Sequence, residues 1–226
     1  MKKIFATDLD GTVIYSKQYD FETDKIQVET HNQYESYMNK RLYDSLKTTN
    51  QIVPFVPITT RNLDQYERIQ LPIVPKYALV LNGAMLLVDG KIDDKWLSES
   101  IQLAKPFMTE LYNAMFLADN SNYECTHLDL LGQFFVFIKT VHSLELVDIL
   151  KSRLDLSKVT VYNKKNKVYV IPTVFEKGYA IDRLKKICPF DFLIAAGDSA
   201  MDDSMLKKAD KIISCNTLKE KGIYNE

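Results

Sequence analysis

The chain has 226 residues, 46% of them apolar and 26% charged, with a formal net charge of -1. This is an ordinary globular balance, long enough for one large domain or two modest ones. It gives no overall attraction to nucleic acid or to an anionic membrane, so an anionic ligand must be held by local groups. Cys125, Cys188 and Cys215 are too few and too scattered for a disulfide framework or a zinc site, and read as reduced, buried thiols. The opening MKKIFATDLD meets an acid too early for a signal peptide, and no apolar run approaches the roughly 20 residues that span a bilayer. The expected location is cytoplasmic.

Along the chain, Lys3 to Thr7 is a short apolar run that ends in acids and Gly11, the pattern of a buried strand followed by a turn. A helical pattern covers Glu35 to Thr48. Ile52 to Ile58 is a Val- and Ile-rich run in which Pro54 and Pro57 argue for an edge or irregular strand. Tyr77 to Leu81 is a third strand, stopped by Asn82-Gly83. Alternation of strand and helix implies parallel strands with crossover helices.

From about residue 86 the character changes. Leu97 to Leu117 reads as a helix, Gln133 to Thr140 as a strand and Leu144 to Leu154 as a helix. Val159 to Tyr162 and Lys167 to Ile171 read as a hairpin whose tip, Asn163 to Lys167, is solvated rather than an anion site. After residue 172 the first style returns. Phe175 to Ile187 is a helix, Phe192 to Ala196 a strand, Met201 to Lys208 a helix and Lys211 to Ser214 a short strand. The expected fold is α/β: a doubly wound, Rossmann-like parallel-sheet core (residues 1–85 and 173–226) split by an inserted α+β cap domain (86–172).

Two strand ends carry paired acids. In DLDGT, Asp8 and Asp10 stand two apart after the first strand, so both share a face at its carboxyl end, where ligands bind in open α/β sheets. Two close carboxylates repel unless one is protonated or a cation compensates, which suits one nucleophile and one proton donor. The bland alternative is an Asp-Gly turn with two solvated acids. A second apolar run, FLIAA, leads into GDSAMDD, Gly197 to Asp203. Its acids suit Mg²⁺, although acids at a helix start are also favourable by the helix dipole alone. That alternative does not explain why acids terminate two core strands.

Thr59, in PITTRN, can donate to a phosphoryl oxygen, and Arg61 beside it has two readings, a phosphate contact or a structural ion pair. Lys177, in FEKGYAIDRL, opens a helix, where the dipole disfavours a cation. Balancing carboxylates and a phosphate gives it a task. His31, His127 and His142 are scattered and read as ordinary surface or core residues, and FFVFI as a buried cap strand.

The order DLDGT, ITTR, EKG and GDSAMDDSML resembles the four motifs of the haloacid dehalogenase-like superfamily. EKGYAIDRL and VLNGA are similar to segments of its Cof-type, sucrose-phosphatase-like branch, whose inserted cap is of the C2B type. The resemblance implies a Mg²⁺-dependent phosphatase acting on a small phosphorylated sugar or metabolite. Asp8 would be nucleophile and metal ligand. Asp10 would be general acid/base, with its backbone carbonyl on the metal. Thr59 and Lys177 would bind the phosphoryl group, with Thr60 and Arg61 in the same phosphate- and substrate-binding set. Asp198 would ligate Mg²⁺, supported by Asp202. A phosphomutase of the same superfamily and a non-catalytic phospholigand-binding module are the alternatives. Three departures stand out: Thr60 replaces the usual Gly, Met201 replaces a frequent Asn, and the cap is short.

Overall fold

The computed structural model describes residues 1–19, 24–32 and 34–220. At its centre lies a parallel sheet of β1 (Lys3–Thr7), β5 (Phe55–Pro57), β13 (Phe192–Ala196) and β14 (Lys211–Ile212), in the order β14-β13-β1-β5. β6 (Tyr77–Val80) continues it beyond β5 through a single parallel bridge, Ile58–Leu79. β7 (Met85–Val88) and β8 (Lys91–Ile92) add antiparallel strands to β6.

β1 is buried on both faces, as its continuous apolar run requires. Ile4 and Ala6 pack with Ala180, Ile181 and Leu184 of α6 (Lys177–Ile187). Phe5, pointing the other way, packs with Leu42 and Leu46 of α1 (Lys40–Ile52). The core is therefore doubly wound, with helices on both faces of a parallel sheet. α3 (Asp94–Ala104) also packs on it: Trp96 lies in the same cluster as Ile4, and Arg183 stacks on the Trp96 ring at 3.8 Å.

A second layer consists of α4 (Met108–Asp119), α5 (Ser143–Arg153) and an antiparallel sheet ordered β11-β12-β10-β9. Its strands are β9 (His127–Leu131), β10 (Phe135–Lys139), β11 (Val159–Lys164) and β12 (Lys167–Pro172). Val136, Ile138, Val161, Val168 and Val170 face α4 and α5. The alternate residues Phe135, Phe137, Tyr162, Tyr169 and Ile171 face Leu81, Phe175 and Met201 of the core. The expected insert, residues 86–172, thus contains elements of two kinds: β7, β8 and α3 against the parallel sheet, and this sheet-and-helix layer above it.

Several elements depart from the sequence expectation. The helix expected over Glu35 to Thr48 is a strand, β4 (Tyr34–Asn39), followed by α1. Asn39 caps α1 by accepting from the Leu42 amide, which fixes the helix start five residues late. β4 pairs with β3 (Lys25–His31) and β2 (Tyr15–Ser16) in a three-stranded flap that the sequence did not reveal. β5 ends the four-stranded parallel sheet, as its prolines implied, with β6 beyond it only through the isolated bridge. Just after β5, the Ile58 and Thr59 amides donate to the Thr7 carbonyl on one side and the Leu79 carbonyl on the other. Pro57, alternating with Ile58, offers no N–H toward β6, so that pairing shrinks to one bridge. The long helix expected from Leu97 to Leu117 breaks at Lys105–Phe107, a 3₁₀ turn around Pro106, into α3 and α4. The expected Met201–Lys208 helix is a 3₁₀ turn, Ala200–Asp202, and a short α7 (Asp203–Leu206). β9, α2 (Leu63–Glu67) and α8 (Cys215–Glu220) were not foreseen. The three cysteines form no disulfide among the described residues and are half-buried rather than buried.

Candidate active site

The site lies at the carboxyl ends of β1, β5 and β13. Asp8 follows β1 directly, and its amide donates to the Ala196 carbonyl at the end of β13. The two acid-bearing turns are thereby tied together. Gly11 makes their approach possible. It has φ +95°, and a Cβ there would lie 2.4 Å from Asp198 Oδ2. Gly197 does the same within the second turn, where a Cβ would stand 2.3 Å from Asp202 Cβ.

Lys177 is the hub. Its side chain is 1% exposed, and its Nζ donates to Asp8 Oδ1 at 2.6 Å and to Asp202 Oδ1 at 2.5 Å. A buried lysine at a helix start is costly on its own, because burial and the dipole both oppose its charge. Two carboxylates compensate and hold its pKa above the ordinary value despite that burial. For Asp8, burial is the largest influence and pushes its carboxyl up to about 7. Lys177 opposes that rise, while Asp202 and Asp10 add to it. Burial alone would also raise Asp202, but Lys177 and the Ser199 donors outweigh it and hold this carboxyl below its usual range.

Asp202 is fully buried and organises the loop. Its Oδ2 accepts from the Asp198 amide (3.1 Å), the Ser199 amide (2.9 Å) and the Ser199 hydroxyl (2.9 Å). Asp203 is exposed at the start of α7. Met201, where an Asn was expected, is buried with Leu81, Phe134 and Phe175, between core and upper layer. An apolar residue at that position serves packing.

Asp10 turns away from Asp8 toward Arg61. The guanidinium donates through Nε to Asp10 Oδ2 at 2.7 Å and through Nη2 to Oδ1 at 2.8 Å. Its other edge grips Glu29, Nη1 to Oε1 and Nη2 to Oε2, both at 2.9 Å. Arg61 therefore sits in an ion-pair bridge; of its two readings, this one is what the geometry displays. Ser36 completes the shell of Glu29 at 2.7 Å. The β3–β4 register shifts between Gln27 and Glu29, so Val28 and Glu29 are both buried, one toward the core and one toward Arg61. Thr59 is buried, and its Oγ1 accepts from the Arg61 amide at 3.2 Å. Thr60 interacts with the Tyr169 phenol, which burial pushes up to about 12.

One contact comes from the upper layer. Lys164, on β11, donates through Nζ to the Asp10 carbonyl at 3.2 Å and to Asp198 Oδ1 at 3.0 Å. The tip expected to be solvated reaches into the site. Asp8, Asp198 and Asp202 can each present one carboxylate oxygen with all three within 4.8 Å of one another. This is an all-oxygen, hard donor set with a carbonyl beside it, and an ammonium already finds it favourable. The residues present fit a small divalent cation such as Mg²⁺.

The structure thus brings together Asp8, Asp10, Thr59, Thr60, Arg61, Lys177, Asp198 and Asp202. Sequence reasoning missed Glu29, Lys164 and Tyr169. A lone acid in an alternating strand carries no signal for its partner, and a lysine in a charged turn looks solvated.

No protein family model matches the chain, and no curated protein matches it. Solved structures do. Sucrose-phosphatase from Synechocystis sp. PCC6803 superposes with TM-score 0.60 at 14% identity, over 94% of this chain and 83% of that one. A subclass IIB sugar phosphatase of the haloacid dehalogenase-like superfamily gives TM-score 0.63 at 12% identity, over 94% and 87%. Trehalose-6-phosphate phosphatase from Aspergillus fumigatus gives 0.53 at 17%, over 94% and 81%. This chain has the haloacid dehalogenase-like fold. Within that fold, Asp8 to Thr12 follow the first core strand and Asp198 to Asp202 follow β13, as the motif order implied.

Proposed function

We propose that the protein is a Mg²⁺-dependent phosphomonoester hydrolase that attacks its substrate with Asp8. The observation that carries this reading is the buried Lys177 ammonium bridging Asp8 and Asp202 at the end of two core strands. Such a buried charge triad costs more than an apolar filling of the same volume. A site that binds and transfers a phosphoryl group gives it a purpose. The solved structures named above as sugar phosphatases add support by analogy of fold, and suggest a small phosphorylated sugar or metabolite as substrate.

In this reading an Asp8 carboxylate oxygen forms a bond to phosphorus as the ester P–O bond breaks. Asp10 gives its proton to the departing oxygen, leaving the phosphoryl group on Asp8 as an acyl phosphate. Asp10, now a carboxylate, takes a proton from water, whose oxygen attacks phosphorus and releases inorganic phosphate and free Asp8. Arg61 holds both Asp10 oxygens by hydrogen bonds. The first step requires Asp10 to swing from Arg61 to the leaving oxygen. Lys177 and the Thr59 hydroxyl hold phosphoryl oxygens and stabilise their charge. Asp8, the Asp10 carbonyl and Asp198, with Asp202 orienting that loop, would hold Mg²⁺, which when bound would supply further charge neutralisation.

The proposed division of labour gives chemistry to residues 1–85 and 173–226, and substrate choice and water exclusion to residues 86–172. A panel of phosphorylated metabolites, assayed with Mg²⁺ and with added chelator, tests the reading. Turnover that chelator abolishes is expected; absence of turnover of every ester, aryl phosphates included, would overturn it.

A further inference from the structure

The upper sheet shows the site a face that chemistry at Asp8 does not use. Strand register places His127, Lys139, Lys167 and Lys164 side by side in one row across β9, β10, β12 and β11. The row behind it is Asp129, Phe137, Tyr169 and Tyr162. Residues directly opposite share a side of the sheet, and alternate residues along each strand face the same way. Val136, Ile138, Val161, Val168 and Val170 are committed to α4 and α5, so both rows face the core. The contact of Lys164 with Asp198 confirms that direction.

Three lysines on adjacent strands repel, and like charges directly opposite destabilise a sheet. Lys164 has found carboxylate company, but Lys139 and Lys167 form no ion pair among the described residues. Although Lys167 is exposed at the start of β12, partial desolvation beneath the sheet lowers its ammonium from the ordinary value, and Lys164, Lys139 and Arg61 add to it. Asp10, the acid that offsets this for Lys167, is already gripped by Arg61 at both oxygens. An anion over this face would relieve the repulsion. The reacting phosphoryl group is assigned above to Lys177 and Thr59, which leaves Lys139 and Lys167 for another anion.

Resting on the hydrolase reading above, we infer that Lys139 and Lys167 form a subsite for a second anionic group of the substrate, a phosphate or a carboxylate. Lys167 and Lys139 lie one and two strand spacings, about 5 and about 10 Å, from Lys164. The second anion therefore sits a small sugar or polyol away from the reacting phosphorus, not directly bonded to it. Phe137 packs against Tyr169 at 5.3 Å and against His127 at 5.4 Å, giving an aromatic surface beside the lysines for the C–H face of such a carbon chain. The substrate class is a doubly anionic phosphorylated carbohydrate.

Calorimetric titration separates this subsite from the catalytic claim. In Mg²⁺, the Asp8→Asn protein should bind fructose 1,6-bisphosphate or 6-phosphogluconate at least about tenfold more tightly than glucose 6-phosphate, as charge-assisted contacts warrant. Preference for the first alone identifies phosphate as the second group, and for the second alone a carboxylate. Adding Lys139→Gln and Lys167→Gln should erase the preference, while the paired Lys→Arg changes should keep it. Equal affinity for all three probes, no binding of any, or a preference that survives the glutamine pair would overturn the subsite. The ratio of kcat/KM between the same probes is then measured on protein with Asp8 intact. A binding preference without any turnover leaves the subsite standing and removes the hydrolase reading. Turnover without a binding preference does the reverse.

Discussion

Lys164 crosses from the β11 edge to the core and sets its ammonium 3.0 Å from the Asp198 carboxylate and 3.2 Å from the Asp10 carbonyl. Those are two of the oxygens expected to hold Mg²⁺, so one positive charge of the chain competes for the metal's place. The ion pair is partly solvated and is worth about 0.2–1 kcal/mol. Lys164→Met should therefore tighten Mg²⁺ binding to the free protein by about 1.4- to 5-fold, measured by calorimetry without substrate. Weaker binding in the variant would mean that Lys164 helps to build the site instead.

The Glu29–Arg61–Asp10 bridge ties the flap to the proposed proton donor. Arg61 and Glu29 are largely buried, with 13% and 6% side-chain exposure. Glu29→Ala leaves a buried guanidinium with one partner fewer, and should cost about 2–3 kcal/mol in urea unfolding. It should also slow turnover of esters with poor leaving groups more than that of an activated aryl phosphate, because Asp10 loses its positioning. A stability loss under about 1 kcal/mol would show that the bridge does not hold the flap.

Asp202 and Asp203 are adjacent and opposite in character. Asp202 is buried on Lys177 and the loop amides, and Asp203 is exposed. Asp202→Ala should raise the Mg²⁺ concentration needed for activity at least about tenfold, the lower end for losing a supporting group. Asp203→Ala should leave it nearly unchanged. Linkage gives a second readout. A carboxyl whose folded pKa is depressed contributes stability that is present above its unfolded value, near 3.9, and is lost as pH falls through the folded value. Asp202→Asn should thus flatten the acid limb of the stability curve below about pH 4. An unaltered limb contradicts the ion pair with Lys177.

Much of this was legible in the sequence, for identifiable reasons. FLIAA is a continuous apolar run bounded by acids, and β13 occupies those five residues. Asp8, Lys177 and Asp198 stand at element ends where turn residues betray them. What stayed hidden depends on contacts between distant segments. YESYMNK fits a helical period as well as a strand, and Asn39 as a cap decides between them only once β3 pairs with it. Pro106 sits inside a convincing helical pattern and splits it. Glu29 pairs with Arg61, 32 positions away, through a bulge that alternation alone does not announce. Lys164 looks like a turn residue until the sheet carrying it is placed over the core.

Asp10→Asn should remove most of the rate with poor leaving groups, by about 10²–10⁴-fold, the range for a lost acid–base group. With an activated aryl phosphate the first step needs little protonation, so the loss should be smaller and shift to the second step. Equal losses on both substrates would assign Asp10 a role in charge balance alone.

That shift makes the covalent claim directly observable. With its second step slowed, the Asp10→Asn protein given an aryl phosphate and Mg²⁺ should accumulate phosphoryl-enzyme. Acid quenching and mass spectrometry of the peptides should then find one phosphoryl group on Asp8, removable by hydroxylamine as an acyl phosphate is. Hydrolysis of the aryl phosphate by the unsubstituted protein, with no phosphoryl group on Asp8 in either protein, would contradict attack by Asp8.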